Sequence, residues 1–393
     1  MTIGPRGRIQ SGVPMPSFDF RTVPHVHVGA GSVARLAQLA APLIGDRRRI
    51  FLVTDPGVRA VGLTDAAVAA LEAAGLSVSV FDQVVADPPE AVVLAAADAA
   101  RNFGAEVVIG FGGGSSMDCS KLVAMLCGSS QSLAAMYGVN KATGPRLPLI
   151  LIPTTAGTGS EVTPISVVTV GESSKMGVSS PALYGDLAVL DAELTYGLPR
   201  ATTAATGIDA MVHAIEAYTT RLQKNPVSDA LALAGLKKLH GAIERACSDG
   251  RDTEAREDML LGALLAGQAF ANAPVGAVHA LAYPLGGVFH VPHGLSNSLM
   301  LPPVLRFNAP AAEPLYAELA RHLGLHASTQ GLVEEMERVA ASVGIETRLS
   351  QVGVSHDDLP RLAEEAMLVT RLLVNNPRDM TLDDAQACYE AVL

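Results

Sequence analysis

The sequence predicts two unlike halves: an α/β domain built on a parallel sheet over residues 1–198, and an all-α domain over 199–393. Short apolar runs alternate with helical patterns through the first half, and glycine- or hydroxyl-rich turns follow several of those runs. Beyond Pro199 strand candidates nearly vanish, and long Ala/Leu/Glu-rich periodic segments take over. A chain of 393 residues is also too long for one comfortable core, which favours two domains.

Arg49-Ile50-Phe51-Leu52-Val53-Thr54-Asp55 reads as a buried strand ending in a polar turn. Residues 64–74 follow as an Ala/Leu helix closed by Gly75. Leu76 to Val80 is a second strand, and Pro88-Pro89 precede a helix that reaches Asn102. Glu106-Val107-Val108-Ile109-Gly110 is a third strand running into Gly112-Gly113-Gly114, and the apolar run Leu147 to Ile152 leads to Pro153-Thr154-Thr155. Strand, helix, strand at these intervals implies a parallel sheet covered on both faces. In the second half, residues 206–220, 228–247, 254–273, 311–324, 330–343 and 357–373 read as close-packed core helices.

Composition narrows the classes. Hydrophobic content of 49% with 17% charged residues indicates a well-buried globular protein. A net charge of −11 argues against nucleic acid and anionic membranes as partners. Cys119, Cys127, Cys247 and Cys388 show no metal-type spacing and no dense framework, so free thiols in a reducing cytosol are expected. The first twenty residues lack a continuous apolar leader, and the Ala-rich runs carry charges or glycines that disfavour a membrane span. The expectation is a cytoplasmic protein.

Two polar segments sit where ligands bind in α/β sheets. Gly110-Phe111-Gly112-Gly113-Gly114-Ser115-Ser116-Met117-Asp118 joins a strand to a helix, where glycines admit a pyrophosphate to the backbone and helix N-terminal amides attract its charge. It is not the GxGxxG fingerprint, because residue 115 is Ser, and Lys121 lies too far along for a P-loop. Without a ligand, the same residues make a tight strand-to-helix turn. Thr154-Thr155-Ala156-Gly157-Thr158-Gly159-Ser160-Glu161 follows another strand and lies at the carboxyl edge of the sheet, although alone it reads equally as a Ser/Thr turn. Asp55, ending the first strand, either accepts hydrogen bonds from an adenosine ribose, favouring NAD over NADP, or caps a turn.

Asp209 and His213 are four apart in an apolar stretch, so a helix points both the same way. His279 and His293 lie in a second distinctive segment, His279-Ala280-Leu281-Ala282-Tyr283-Pro284 through Val291-Pro292-His293-Gly294. Singly, a His in an apolar run is more often a satisfied core residue. Together, one carboxylate and three imidazoles make a mixed O/N set suited to Fe(II) or Zn(II).

The chain resembles the iron-containing (group III) alcohol dehydrogenases, within the superfamily that also holds glycerol dehydrogenase and dehydroquinate synthase. The likeness runs from Phe18-Asp19-Phe20-Arg21-Thr22-Val23-Pro24 through the Gly112–Asp118 loop, the Pro153–Glu161 cluster and Lys175-Met176-Gly177-Val178. It continues through both metal segments to Leu301-Pro302-Pro303-Val304-Leu305-Arg306-Phe307-Asn308 and Asn375-Asn376-Pro377-Arg378. The resemblance implies a dehydroquinate synthase-like fold, with an N-terminal dinucleotide-binding domain and a C-terminal helical metal-binding domain. It implies that Asp209, His213, His279 and His293 bind Fe2+, with zinc used by some relatives. Gly113, Gly114 and Ser115 would contact the NAD pyrophosphate, with Asp118 in the same loop; Thr154, Thr155, Thr158 and Lys175 would line the rest, and Asp55 would face the ribose. It also implies a small alcohol or aldehyde as substrate, and a homo-oligomer.

One position departs from the pattern. Many alcohol-oxidising members carry a second His four residues after the third ligand, and here that residue is Tyr283. A phenol can donate or relay a proton but is a weak base at neutral pH, so Tyr283 is either a relay or a packing residue. His290 is a spare imidazole nearby in sequence. The implied reaction is hydride transfer between an alcohol and a nicotinamide, with the metal as Lewis acid. A semialdehyde or oxoacid reductase of hydroxybutyrate or maleylacetate type is the alternative, and the intact ligand set counts against the maleylacetate branch. A dehydroquinate synthase-like lyase would need Lys and Arg residues in which the metal segments are poor.

Overall fold

The computed structural model describes residues 17–171 and 174–393; the expectation of no leader within the first twenty residues falls largely outside them. Two compact units result, one of residues 21–199 with 249–267, the other of 200–248 and 268–393 with the described part of the N-terminal segment.

In the first unit, β1 (Val26–Val28), β2 (Arg49–Val53), β3 (Ser77–Phe81), β4 (Val107–Gly112), β6 (Leu149–Pro153) and β9 (Leu187–Leu190) form a six-stranded sheet of order β1-β9-β6-β4-β2-β3. All its pairings are parallel. Consecutive strand residues feed opposite cores. Ile50, Leu52 and Ile109 pack with Leu36, Ala40, Ala67 and Leu71, while Phe51, Val53 and Val108 pack with Val93, Ala97, Met117 and Leu122. Burial on both faces explains why these strands are apolar throughout rather than alternating. The chain passes outward from β2 to β3 and then crosses to β4 on the other side of β2, so the strand order reverses between β2 and β4. In such sheets the crevice beyond the carboxyl ends of the strands at that point receives ligands.

A second sheet, β5 (Gly138–Val139), β8 (Ser174–Ser179) and β7 (Ile165–Val170), has order β5-β8-β7, with β7 and β8 antiparallel. Segment 249–267 lies beyond the expected domain boundary but groups with the sheet unit. A Cβ on Gly267 would lie 2.9 Å from the Gly159 Cα, so two glycines let the helix Thr253–Asn272 lie directly on the Ser160 turn.

The second unit is helical. The helix Arg200–Thr219, buried along most of its length, packs against Pro226–Ser248 and His293–His322. The expected helix at 311–324 is the last part of this 30-residue helix, which starts at His293 and contains Pro302, Pro303, Pro310 and Pro314. Proline removes an amide donor and normally interrupts a helix; here Gly294 to Leu305 are all buried, and tertiary packing overrides the local signal. The expected 357–373 segment divides into Leu359–Met367 and Thr370–Leu373. No single helix among the described residues is long and apolar enough to cross a membrane.

Candidate functional site

Asp209 and His213 project from one face of the Arg200–Thr219 helix, His279 from the start of Ala277–Phe289, and His293 is the first residue of its own helix. One ligand-type atom from each lies within 4.8 Å of the others. His293 Nε2 is 3.7 Å and His279 Nε2 is 4.0 Å from Asp209 Oδ1. Ligands around a tetrahedral ion, bound at about 2.0–2.2 Å, are roughly 3.4 Å apart, so the spacing fits a shared cation. Asp209, His213 and His279 are buried, whereas the His293 side chain is 44% exposed, so the cluster opens to solvent on the His293 side. The His213 ring stacks between Phe270 (4.3 Å) and His279 (4.8 Å). Burial pushes the Asp209 carboxyl pKa up, but the His213, His293 and His279 rings and the Asn297 amide outweigh that and hold it below the usual range.

Three further residues set this geometry, and none stood out in the sequence. Glu216 Oε2 accepts from His279 Nδ1 at 2.6 Å, while its Oε1 accepts from the Val278 amide at 2.8 Å. A carboxylate can only accept, so His279 is protonated at Nδ1 and its Nε2 lone pair faces the cluster. Asn297, one turn after His293, points its Nδ2 at Asp209 Oδ1 (2.6 Å) and at the Nε2 atoms of His279 and His293 (3.2 Å each). Two amide hydrogens cannot satisfy three acceptors, and Asn297 Oδ1 is buried without a donor. Three inward acceptors and a mixed O/N set are what a divalent cation satisfies, so the residues present fit such an ion. Gly294 is the third. A Cβ there would collide with the Ala205 carbonyl, so only glycine lets the His293 helix lie on the Asp209 helix. The signal for Glu216 was its spacing, since residues 209, 213 and 216 share one helical face.

Tyr283 follows His279 by one helical turn, and its ring centroid is 6.0 Å from that of His293. His290 is exposed and ends the same helix in a left-handed conformation, φ 56°.

In the sheet unit, the turns after β2, β4 and β6 are neighbours at the carboxyl edge, at the reversal of strand order. Gly112 has φ +149°, and a Cβ there would lie 2.6 Å from Ser116 Oγ. A Cβ on Gly114 would meet the Thr158 methyl at 2.9 Å, so the glycine loop lies directly on the threonine turn. Thr154 is buried, its amide donating to the Gly112 carbonyl at 3.0 Å, while Thr155 and Thr158 are half-buried. Asp55 caps the helix Pro56–Ala60, Oδ1 accepting from the Val58 amide at 2.9 Å, and Oδ2 accepts from Ser116 Oγ at 3.3 Å. Lys175, on β8, pairs with Asp87 at 2.8 Å, and the Asp87 amide donates to Ser115 Oγ at 3.3 Å. Asp118 turns inward: its oxygens accept from Ser160 Oγ (2.6 Å) and the Val167 amide (2.8 Å), with the buried Lys121 at 3.5 Å. That network straps the glycine-loop helix, Gly114–Gly128, to the Ser160 turn and to β7. Beside it, burial pushes the Glu161 carboxyl up to about 7, with its own backbone amide and Lys121 pulling the other way.

Residues 24–192 match the family described as iron-containing alcohol dehydrogenase, and residues 203–393 match the C-terminal part of the Fe-containing alcohol dehydrogenase family. The chain is 40% identical over 378 residues to long-chain-alcohol dehydrogenase 1 of Geobacillus thermodenitrificans, covering 94% of this chain and 95% of that protein. The crystal structure of a 1,3-propanediol oxidoreductase superposes with a TM-score of 0.92 at 32% identity, covering 96% of this chain and all of the other. Sulfoacetaldehyde reductase from Bifidobacterium kashiwanohense, solved in complex with NAD+, superposes with a TM-score of 0.87 at 29% identity, covering 96% and 99%.

Two outcomes follow from this geometry. Glu216→Gln replaces a pure acceptor with an amide and should weaken Fe(II) or Zn(II) binding about 10- to 100-fold in an anaerobic metal titration; unchanged affinity would show that Glu216 does not orient His279. Glu161 is raised in the folded state, so its contribution to stability is present at low pH and is lost as pH rises through about 7. Relative to Glu161→Gln, the native protein should lose up to about 3 kcal/mol between pH 5 and pH 8. A difference in melting temperature that stays constant across that range would contradict the assignment.

Proposed function

The chain belongs to the iron-containing alcohol dehydrogenase family and is a metal-dependent NAD(H) oxidoreductase that interconverts an alcohol and an aldehyde or ketone; for that reaction we propose the following roles for its residues. Asp209, His213, His279 and His293 hold the divalent ion, Fe2+ or, by the same donor chemistry, Zn2+. The observation that carries this reading is the convergence of all four within 4.8 Å, from three separate helices. Bound there, the ion would supply Lewis acidity to the alcohol or carbonyl group, and the dinucleotide would supply the hydride chemistry.

The side chains of this protein do the rest. Asp209 supplies the negative charge that makes a buried site hospitable to a cation, and Glu216 keeps the His279 Nε2 lone pair turned inward. The Tyr283 ring lies 6.0 Å from that of the exposed His293, and its phenol relays a proton between solvent and the substrate oxygen. Gly113, Gly114 and Ser115 receive the pyrophosphate at the first turn of the Gly114–Gly128 helix. Thr154, Thr155, Thr158 and Lys175 line the remainder, and Asp118 acts from behind by fixing the loop. Asp55, while capping its helix, faces the ribose and disfavours a 2′-phosphate. The two family matches, over 24–192 and 203–393, support a nucleotide-binding first half and a metal-binding second half, with segment 249–267 grouping with the former.

Four cysteines without disulfides support a cytoplasmic protein, and the family resemblance supports a homo-oligomer. A second reading, a specialised reductase of an anionic aldehyde, is favoured by one observation: an exposed arginine, Arg371, stands against Tyr283.

Removal of two ligands tests the assignment. After anaerobic reconstitution with Fe(II), the doubly substituted Asp209→Ala, His293→Ala protein should retain NADH binding by fluorescence. It should lose bound metal and aldehyde-dependent NADH oxidation by more than the roughly 100-fold expected for an outer partner. Full turnover without bound metal would overturn the assignment.

A further inference from the structure

The open side of the metal cluster carries a positive charge that nothing in the hydride-transfer chemistry requires. His293 is the exposed ligand of the four, and the Tyr283 ring lies 6.0 Å from it. Over Tyr283 stands Arg371, with its guanidinium carbon 5.8 Å from the ring centroid and Nη2 3.3 Å from the phenol oxygen. Arg371 is exposed and has no carboxylate partner among the described residues.

Its position is fixed from below. Asn375, buried, donates from Nδ2 to the Arg371 carbonyl (3.2 Å) and to the Val275 carbonyl (3.0 Å). The neighbouring Asn376 Oδ1 accepts from the Ala277 amide (3.4 Å) and from Asn308 Nδ2 (2.9 Å). Ala277 and Val275 border the first turn of the helix that carries His279 and Tyr283. The backbone of Arg371 is thus tied to the same element that positions a metal ligand. A guanidinium without a counter-charge, set on a fixed backbone, is suited to bidentate recognition of a planar or tetrahedral oxyanion.

We infer that Arg371, supported by Tyr283, is a specificity residue that grips the anionic tail of a short aldehyde or alcohol, a carboxylate or a sulfonate, while the other end of that molecule meets the metal centre. This rests on the dehydrogenase reading above and names its substrate class. Tyr283 then has two partners available, with its hydroxyl accepting from Arg371 and its proton directed toward the substrate. A small neutral aldehyde would leave the guanidinium unmatched.

The test compares catalytic efficiency for 4-oxobutanoate, sulfoacetaldehyde and neutral butanal, using the Fe(II)-loaded protein and NADH. Native protein should favour one or both anionic aldehydes over butanal. Arg371→Met should reduce that preference roughly 10- to 150-fold through a higher KM for the anion, the range expected for loss of a charged hydrogen bond. Arg371→Lys should restore part of it. The two anionic substrates separate a carboxylate site from a sulfonate site, since the better of them loses most in Arg371→Met. Butanal equal to or better than both anions in the native protein would overturn the inference alone. So would a preference untouched by Arg371→Met, or a KM change confined to NADH. No NADH consumption with any of the three would bring down the dehydrogenase reading and this inference with it.

Discussion

The backbone of Gly294 lies against the carbonyl of Ala205, closer than any side chain permits, and the metal centre depends on that approach. It brings the start of the His293 helix onto the turn of the Arg200–Thr219 helix that presents Asp209 and His213. Once the two helices touch there, Asn297 is carried in one turn later to face Asp209, and the third helix closes the set through His279. A buried carboxylate facing three imidazoles is an expensive arrangement for a protein core unless a cation or protons compensate it.

The glycine loop obeys the same logic in the other unit. Gly112 ends β4 and Gly113 and Gly114 follow it beside the reversal of strand order, and Gly114 rests on Thr158 because it has no side chain to hold it away. Asp118 and Lys121 make their bonds within the protein. They tie the loop's helix to Ser160, Ile165 and Val167, so that its N-terminal amides are held in one place. A rigid loop loses little conformational freedom when a dinucleotide binds, which is the advantage of preorganisation.

How much was legible in the sequence depended on the range of each interaction. Asp209 and His213 announced themselves because four-residue spacing in an apolar helix is local, and His279 and His293 because two imidazoles flanked a distinctive segment. The sheet's central strands were equally readable as continuous apolar runs. β7 and β8 were missed: Lys175, Met176 and Gly177 give β8 little strand propensity, and its pairing with β7 supplies what propensity does not. Of the His293–His322 helix only the last part, within 311–324, is legible, because the burial that holds its first half helical through Pro302 and Pro303 has no local signature. Glu216 was visible in principle, three residues beyond His213 on the same face. Arg371 was not, since its proximity to Tyr283 arises across 88 residues and through the Asn375 anchor.

The most direct test of the central claim is X-ray absorption at the iron edge of the anaerobically Fe(II)-loaded protein. Asp209, His213, His279 and His293 as ligands predict a first shell of nitrogen and oxygen at about 2.0–2.2 Å, with outer-shell scattering from three imidazoles. A sulfur shell, or scattering that accounts for one imidazole or none, would contradict the assignment.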